Sequence, residues 1–190
     1  MERSFHQVEA LGAEDSRGVN RRRVGTSLYA GLLFTVLGAI AWVSGEPFIF
    51  PSLGPSAFIL AFERRGERTR IVSVVGSHLI GGIAGLLAYL LLAAGISLTA
   101  TPPPASMAGL RLAASGVISI ILTSWALIAT DTIHAPACAT TLIVSLGLLS
   151  TPRQVAIIVA SVVVLITFHA AVLRIFEQIV GDTHPLYAAD

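Results

Sequence analysis

The chain of 190 residues carries 12 basic and 11 acidic side chains, a formal charge of +1, and is 54% hydrophobic but only 12% charged, against about 25% charged in soluble domains. With a mean hydropathy of +0.81, a soluble fold of this size could not hide its apolar surface, and the charge balance excludes a nucleic-acid footprint. One cysteine, Cys138, excludes an internal disulfide and any CxxC metal or redox pair.

Every basic residue is an arginine, and most stand in two short clusters. Residues 1–23 mix both charge signs and lack the apolar core of a signal peptide. They read as a cytoplasmic tail, solvated and poorly ordered, with a short interfacial helix over 5–11 as the alternative. A bilayer core of about 30 Å takes roughly 20 apolar residues of helix. Four segments reach that length: 24–43, 71–95, 107–130 and 155–180, the last leaving hydrocarbon near Arg174.

Two shorter apolar segments, 47–62 and 132–149, are interrupted by Pro51, Gly54 and Pro55 in one and by Pro136 in the other. Length alone favours re-entry, but charge decides otherwise. If 47–62 turned back, Arg64, Arg65, Arg68 and Arg70 would face away from the basic tail Arg21 to Arg23, against the positive-inside rule. If both short segments cross, those clusters and Arg174 share the cytoplasmic side, and only Arg111 and Arg153 lie near the other.

The reading is therefore an all-α membrane protein with six membrane-crossing helices and both termini cytoplasmic, in a prokaryotic plasma membrane. Each half runs long helix, Pro-broken short helix, Arg-containing loop, long helix. Placing Pro55 on Pro136 aligns SLGPSAFILAF with TIHAPACATTL. Three crossings per half invert the second repeat (about 107–180) relative to the first (about 24–95), the organisation of many secondary transporters. Residues 24–180 form the transmembrane domain and 181–190 a cytoplasmic tail. The uncharged link with Pro102, Pro103 and Pro104 is extracytoplasmic, and Arg111 snorkels outward from the next helix.

A helix restarting after proline leaves N–H groups that need a polar partner at membrane depth, and its positive dipole end suits an anion. The candidate binding groups are Ser52, Gly54 and Ser56 in the first half and His134 and Thr140 in the second. The alternative for each hydroxyl is a helix cap or a bond to a neighbouring carbonyl. His78, His134 and His169 lie in or beside spans, where ionisable groups tend to face cavities. His134, two residues before the break, is the strongest candidate for proton-linked charge, with Asp131 one turn earlier as its partner if the segment is helical. His78 either lines the cavity or bridges helices, and His169 reads as an interfacial residue.

FPSLGPSAFILAF, VVGSHLIGGIAG and TDTIHAPACATTLIV resemble the conserved blocks of the HPP family of integral membrane proteins, over about residues 24–175. The family's His-Pro-Pro motif reads His134-Ala135-Pro136 here, with Ala137-Cys138 in place of the usual glycine pair. The resemblance implies transport of a small inorganic anion, with nitrite as substrate, through a midplane site between the two broken helices. Membrane lipid is a second partner, no nucleic acid is expected, and a homodimer or trimer stays open, with 81–85 as its contact. No cofactor and no metal are expected. The other classes are a non-transporting sensor or assembly subunit and, more weakly, an intramembrane enzyme, for which no GxSxG, HExxH, Walker or dinucleotide motif is present.

Overall fold

The computed structural model describes residues 2–64 and 69–180, with side chains from Arg22 to Ile179; most of the arginine loop, 65–68, and the 181–190 tail lie outside the described residues. The described chain is all helical: α1 (Glu2–Ser44), α2 (Leu53–Phe62), α3 (Ile71–Ala88) continued by a π-helical turn (Tyr89–Ala93), α4 (Met107–Ala129), α5 (Ala137–Ser145) and α6 (Pro152–Val180). Four stretches are long and apolar enough to cross a membrane: Arg22–Ser44, Ile71–Ala93, Met107–Ala129 and Pro152–Ile179. The segment expected as a poorly ordered tail is helical backbone from Glu2, continuous with the first span. No proline interrupts it, and extending an existing helix needs no new nucleus.

The helices are arranged inside out relative to a soluble protein. On α4, Ser115, Ser119 and Thr123 are fully buried, whereas Val117, Ile121, Trp125 and Ile128 are 61%, 60%, 71% and 73% exposed. Polar groups turned inward under a coat of large apolar side chains make sense only in lipid. The apolar core lies between α1, α2 and α6, where Leu33, Leu37, Leu53, Leu60, Ile158, Val162 and Leu165 meet.

The other half of the interior is built by close backbone approach. A Cβ on Gly81 would stand 2.7 Å from both the Ala137 carbonyl oxygen and Thr141 Oγ1, and one on Gly85 would stand 2.7 Å from the Thr141 carbonyl oxygen. A Cβ on Gly82 would meet Val155 of α6 at 2.8 Å. The small-residue stripe expected as an oligomer contact thus seats α5 and α6 of the same chain. Glycine lets the backbones approach this closely, because any side chain at these positions would occupy the space that α5 and Val155 fill.

Hydrogen bonds fix the helix ends. Arg111, expected to snorkel outward, donates from Nε to the Leu92 carbonyl (2.7 Å) in the π-helical turn. The Leu98 N–H donates to the Leu146 carbonyl (3.0 Å), joining the link after α3 to the end of α5. Arg153 at the start of α6 pairs with Glu46 after α1. Far along α6, His169 bonds Tyr29 Oη through Nδ1 (2.9 Å) and the Arg64 carbonyl through Nε2 (3.2 Å).

Candidate functional site

Gly45, at φ +68, ends α1, and a turn at Pro51-Ser52 starts α2. Pro55 falls in the first turn of α2, where its missing N–H costs no intrahelical bond. Ser52 precedes the helix but makes no side-chain cap. Its Oγ reaches instead to Thr140 Oγ1 in α5, at 2.7 Å. The capping alternative therefore does not describe Ser52.

In the second half, Asp131 leaves α4 with a left-handed φ of +52 and lies exposed. Residues 132–134 are not helical, so Asp131 and His134 do not share the helical turn that would pair them. Ser77 Oγ bonds the Thr132 carbonyl, pinning this segment to α3 two residues before His134. The N–H groups of Ala137, Cys138 and Ala139 donate to the carbonyls of His134, Ala135 and Pro136 at 3.0 to 3.1 Å. The start of α5, expected to offer open N–H groups, closes on its own preceding turn. Pro136 has φ −55, a helical value, so the turn winds back as far as His134 and its carbonyls serve the orphan donors.

The side chains of the two breaks meet across α3. Ser56 Oγ lies 3.1 Å from Nε2 of His78 and 3.1 Å from Nε2 of His134, and donates to the Ser52 carbonyl at 3.1 Å. His78 Nδ1 lies 2.7 Å from Thr140 Oγ1. The two imidazole rings are tilted at 55° with centroids 5.5 Å apart. Ser52 faces Thr140 while Ser56 faces His134, so the first turns of α2 and α5 pass one another in antiparallel register. All five side chains are at most 1% exposed.

Of the residues singled out in the sequence, Ser52, Ser56, His78, His134 and Thr140 thus form one cluster. Gly54 is half-buried on α2 with nothing within 4 Å of where a Cβ would stand. Asp131 is outside the cluster, and His169 belongs to a separate group in which the Arg64 guanidinium lies 5.4 Å from the Tyr29 ring centroid. Sequence reasoning missed the supports: Ser77, the Thr123–Thr141 hydroxyl pair at 2.8 Å, and Ser115, which donates to the Ser145 carbonyl at 2.9 Å. Their legible signal is helical spacing, since Ser115, Ser119 and Thr123 recur every four residues on one face of α4.

The cluster is sealed, and the midplane cavity expected between the breaks is filled by the hydrogen-bonded side chains themselves. A groove of about 680 Å³ lies elsewhere, lined by apolar residues including Leu79, Leu86, Val155 and Val159 of α3 and α6.

No curated protein and no solved structure matches this chain. The family model for the HPP transmembrane region matches residues 17–183, nearly the whole sequence and all three blocks that carry the resemblance. Four apolar helices, an inside-out distribution of polarity and that match together place the chain in the membrane as a member of the HPP family.

Proposed function

We propose that the protein carries a small inorganic anion across the membrane, with nitrite as the substrate implied by the family resemblance. One observation carries this reading: both interrupted segments, separate in sequence, bring their hydroxyl and imidazole groups to one buried point on α3. Buried polar groups in lipid are costly, and convergence of this kind is the usual mark of a pathway for substrate or ion. Ser52, Ser56, His78, His134 and Thr140 make up the proposed substrate site, and the protein is not read as an enzyme.

The proposed frame is six crossings in two inverted repeats, with both termini cytoplasmic in a prokaryotic plasma membrane. Two sets of landmarks support it. Glu46 pairs with Arg153, whereas Arg64 bonds His169, about 24 Å further along α6 at roughly 1.5 Å per residue. The chain between Glu46 and Arg64 covers that depth. At its end, Phe62 lies under the Arg22 guanidinium, 5.2 Å from the ring centroid, which gathers arginines from α1 and the α2–α3 loop on one side. Likewise the 131–146 segment starts at the end of α4 and runs back to Ser115 and Gly116 of α4 and Leu98 of the link, about 21 Å along α4 from Ala129 at roughly 1.5 Å per residue.

A cysteine introduced at Gly66, in the loop outside the described residues, should be labelled by an impermeant reagent only from the cytoplasmic side, and one at Ser97 only from outside. Labelling of Gly66 from outside would sink the six-crossing frame.

The second reading, a non-transporting sensor or assembly subunit, draws on the closure of the cluster, whose members already bond one another. Flux separates the two. Vesicles containing purified protein are expected to pass nitrite faster than empty vesicles, and faster than they pass nitrate, formate or chloride. Rates equal to those of empty vesicles for all four anions would favour the sensor.

A further inference from the structure

We infer that the Ser56 hydroxyl is a built-in stand-in for the anion, occupying the point where the imidazole N–H groups of His78 and His134 converge, and that an anion replaces it when the start of α2 moves aside. The inference rests on the transport reading and gives its site a ligand geometry.

Proton counting carries it. Ser56 Oγ has one hydrogen and three partners: the Ser52 carbonyl, His78 Nε2 and His134 Nε2, each at 3.1 Å. The carbonyl can only accept, so it takes the serine proton, and both imidazoles must then donate Nε2–H to the two lone pairs of Oγ. The rest of the network agrees. With Nε2 protonated, the Nδ1 of neutral His78 accepts from Thr140 Oγ1–H at 2.7 Å, and Thr140 in turn accepts from Ser52 Oγ–H at 2.7 Å. Every hydrogen has one place, and two N–H donors are aimed at a single oxygen.

Two donors converging on one acceptor is what an oxyanion or a halide requires. The five side chains are hydroxyls and imidazoles, with no acid among them, so the vacated point would favour negative charge over a cation. The mechanical asymmetry also fits. α5 is seated on the backbone-tight Gly81 and Gly85 of α3, whereas α2 is held through apolar side chains, Leu53 and Leu60 among them, that can slide against α1 and α6. Displacing α2 withdraws Ser56 and leaves His78, His134 and Thr140 in place on α3 and α5.

The test uses full-length protein in detergent with 15N-labelled histidine, following the imidazole Nε2 resonances as sodium nitrite or sodium chloride is added. Ser56→Ala removes the internal acceptor, and Ser56→Cys keeps the volume with a weak acceptor in its place. In both, nitrite should shift two Nε2 signals at concentrations on the order of tenfold lower than in wild type, because the competing self-ligand is gone. Adding His134→Phe to Ser56→Ala should erase the gain. Unchanged half-saturation in both folded variants would overturn the role of Ser56, even if wild-type vesicles carry nitrite. A tenfold gain in protein whose vesicles pass no anion would uphold that role and remove the transport reading instead.

Discussion

Gly81→Leu is expected to prevent accumulation of folded protein, and Gly81→Ala to lower the melting temperature in detergent well beyond the effect of Gly31→Ala. The cause is the placement of atoms with no freedom to retreat. A Cβ at Gly81 would stand 2.7 Å from the Ala137 carbonyl oxygen, which belongs to the backbone of α5, and at the same distance from Thr141 Oγ1. Thr141 Oγ1 is itself held by Thr123 Oγ1 at 2.8 Å and by the Ala137 carbonyl at 3.2 Å. Relief therefore requires α5 to shift as a body. Overpacking of this kind costs about 1–3 kcal/mol for a small intrusion, and more for leucine. Gly31 has nothing within 4 Å of its Cβ position, and substitution there should stay within about 0.5 kcal/mol. The same shift would draw Thr140 and His134 away from His78, so surviving Gly81→Ala protein should also bind anion poorly. Equal melting temperatures for the two alanine variants would mean that α3 and α5 are not in backbone contact.

The long spans were legible because each is a run of apolar residues matched to bilayer thickness, and the structure places them at 22–44, 71–93, 107–129 and 152–179. The polar cluster was legible as a set of residue types in membrane context: Ser52, Ser56, His78, His134 and Thr140 are expensive in lipid, and expense implies partners. What could not be read was how those partners satisfy one another. Composition says that Ser52 can cap a helix, and only the antiparallel passing of α2 and α5 shows its hydroxyl spent on Thr140. Proline was read as exposing the N–H groups of α5, whereas its helical φ lets the turn from His134 absorb them. Gly81 and Gly85 announce a close approach but not to what, since a small residue looks the same under a second copy of the chain as under α5. Asp131 shows the same limit from the other side: one turn from His134 on paper, it is carried outward by its own left-handed backbone.

His134→Ala is expected to reduce nitrite flux by on the order of tenfold or more per folded molecule, the factor that about 1.4 kcal/mol makes, whereas His169→Ala should leave it within about twofold. Both histidines are buried, at 1% and 3% exposure, so burial does not distinguish them. Their partners do. His134 contributes one of two imidazoles bonded to Ser56, so its loss removes a donor from the only place where both interrupted segments and α3 meet among the described residues. His169 ties α6 to Tyr29 of α1 and to the Arg64 carbonyl, a junction at the far end of α2 whose partners are a phenol and a backbone oxygen. Losing it removes both bonds and should cost stability by about 1–3 kcal/mol without touching the cluster. The comparison uses proteoliposomes of matched protein content, with the melting temperature of each variant taken in the same detergent. A stable His134→Ala protein with wild-type flux, beside a His169→Ala protein that carries nothing, would move the pathway from the Ser56 cluster to the junction of α1, α6 and Arg64.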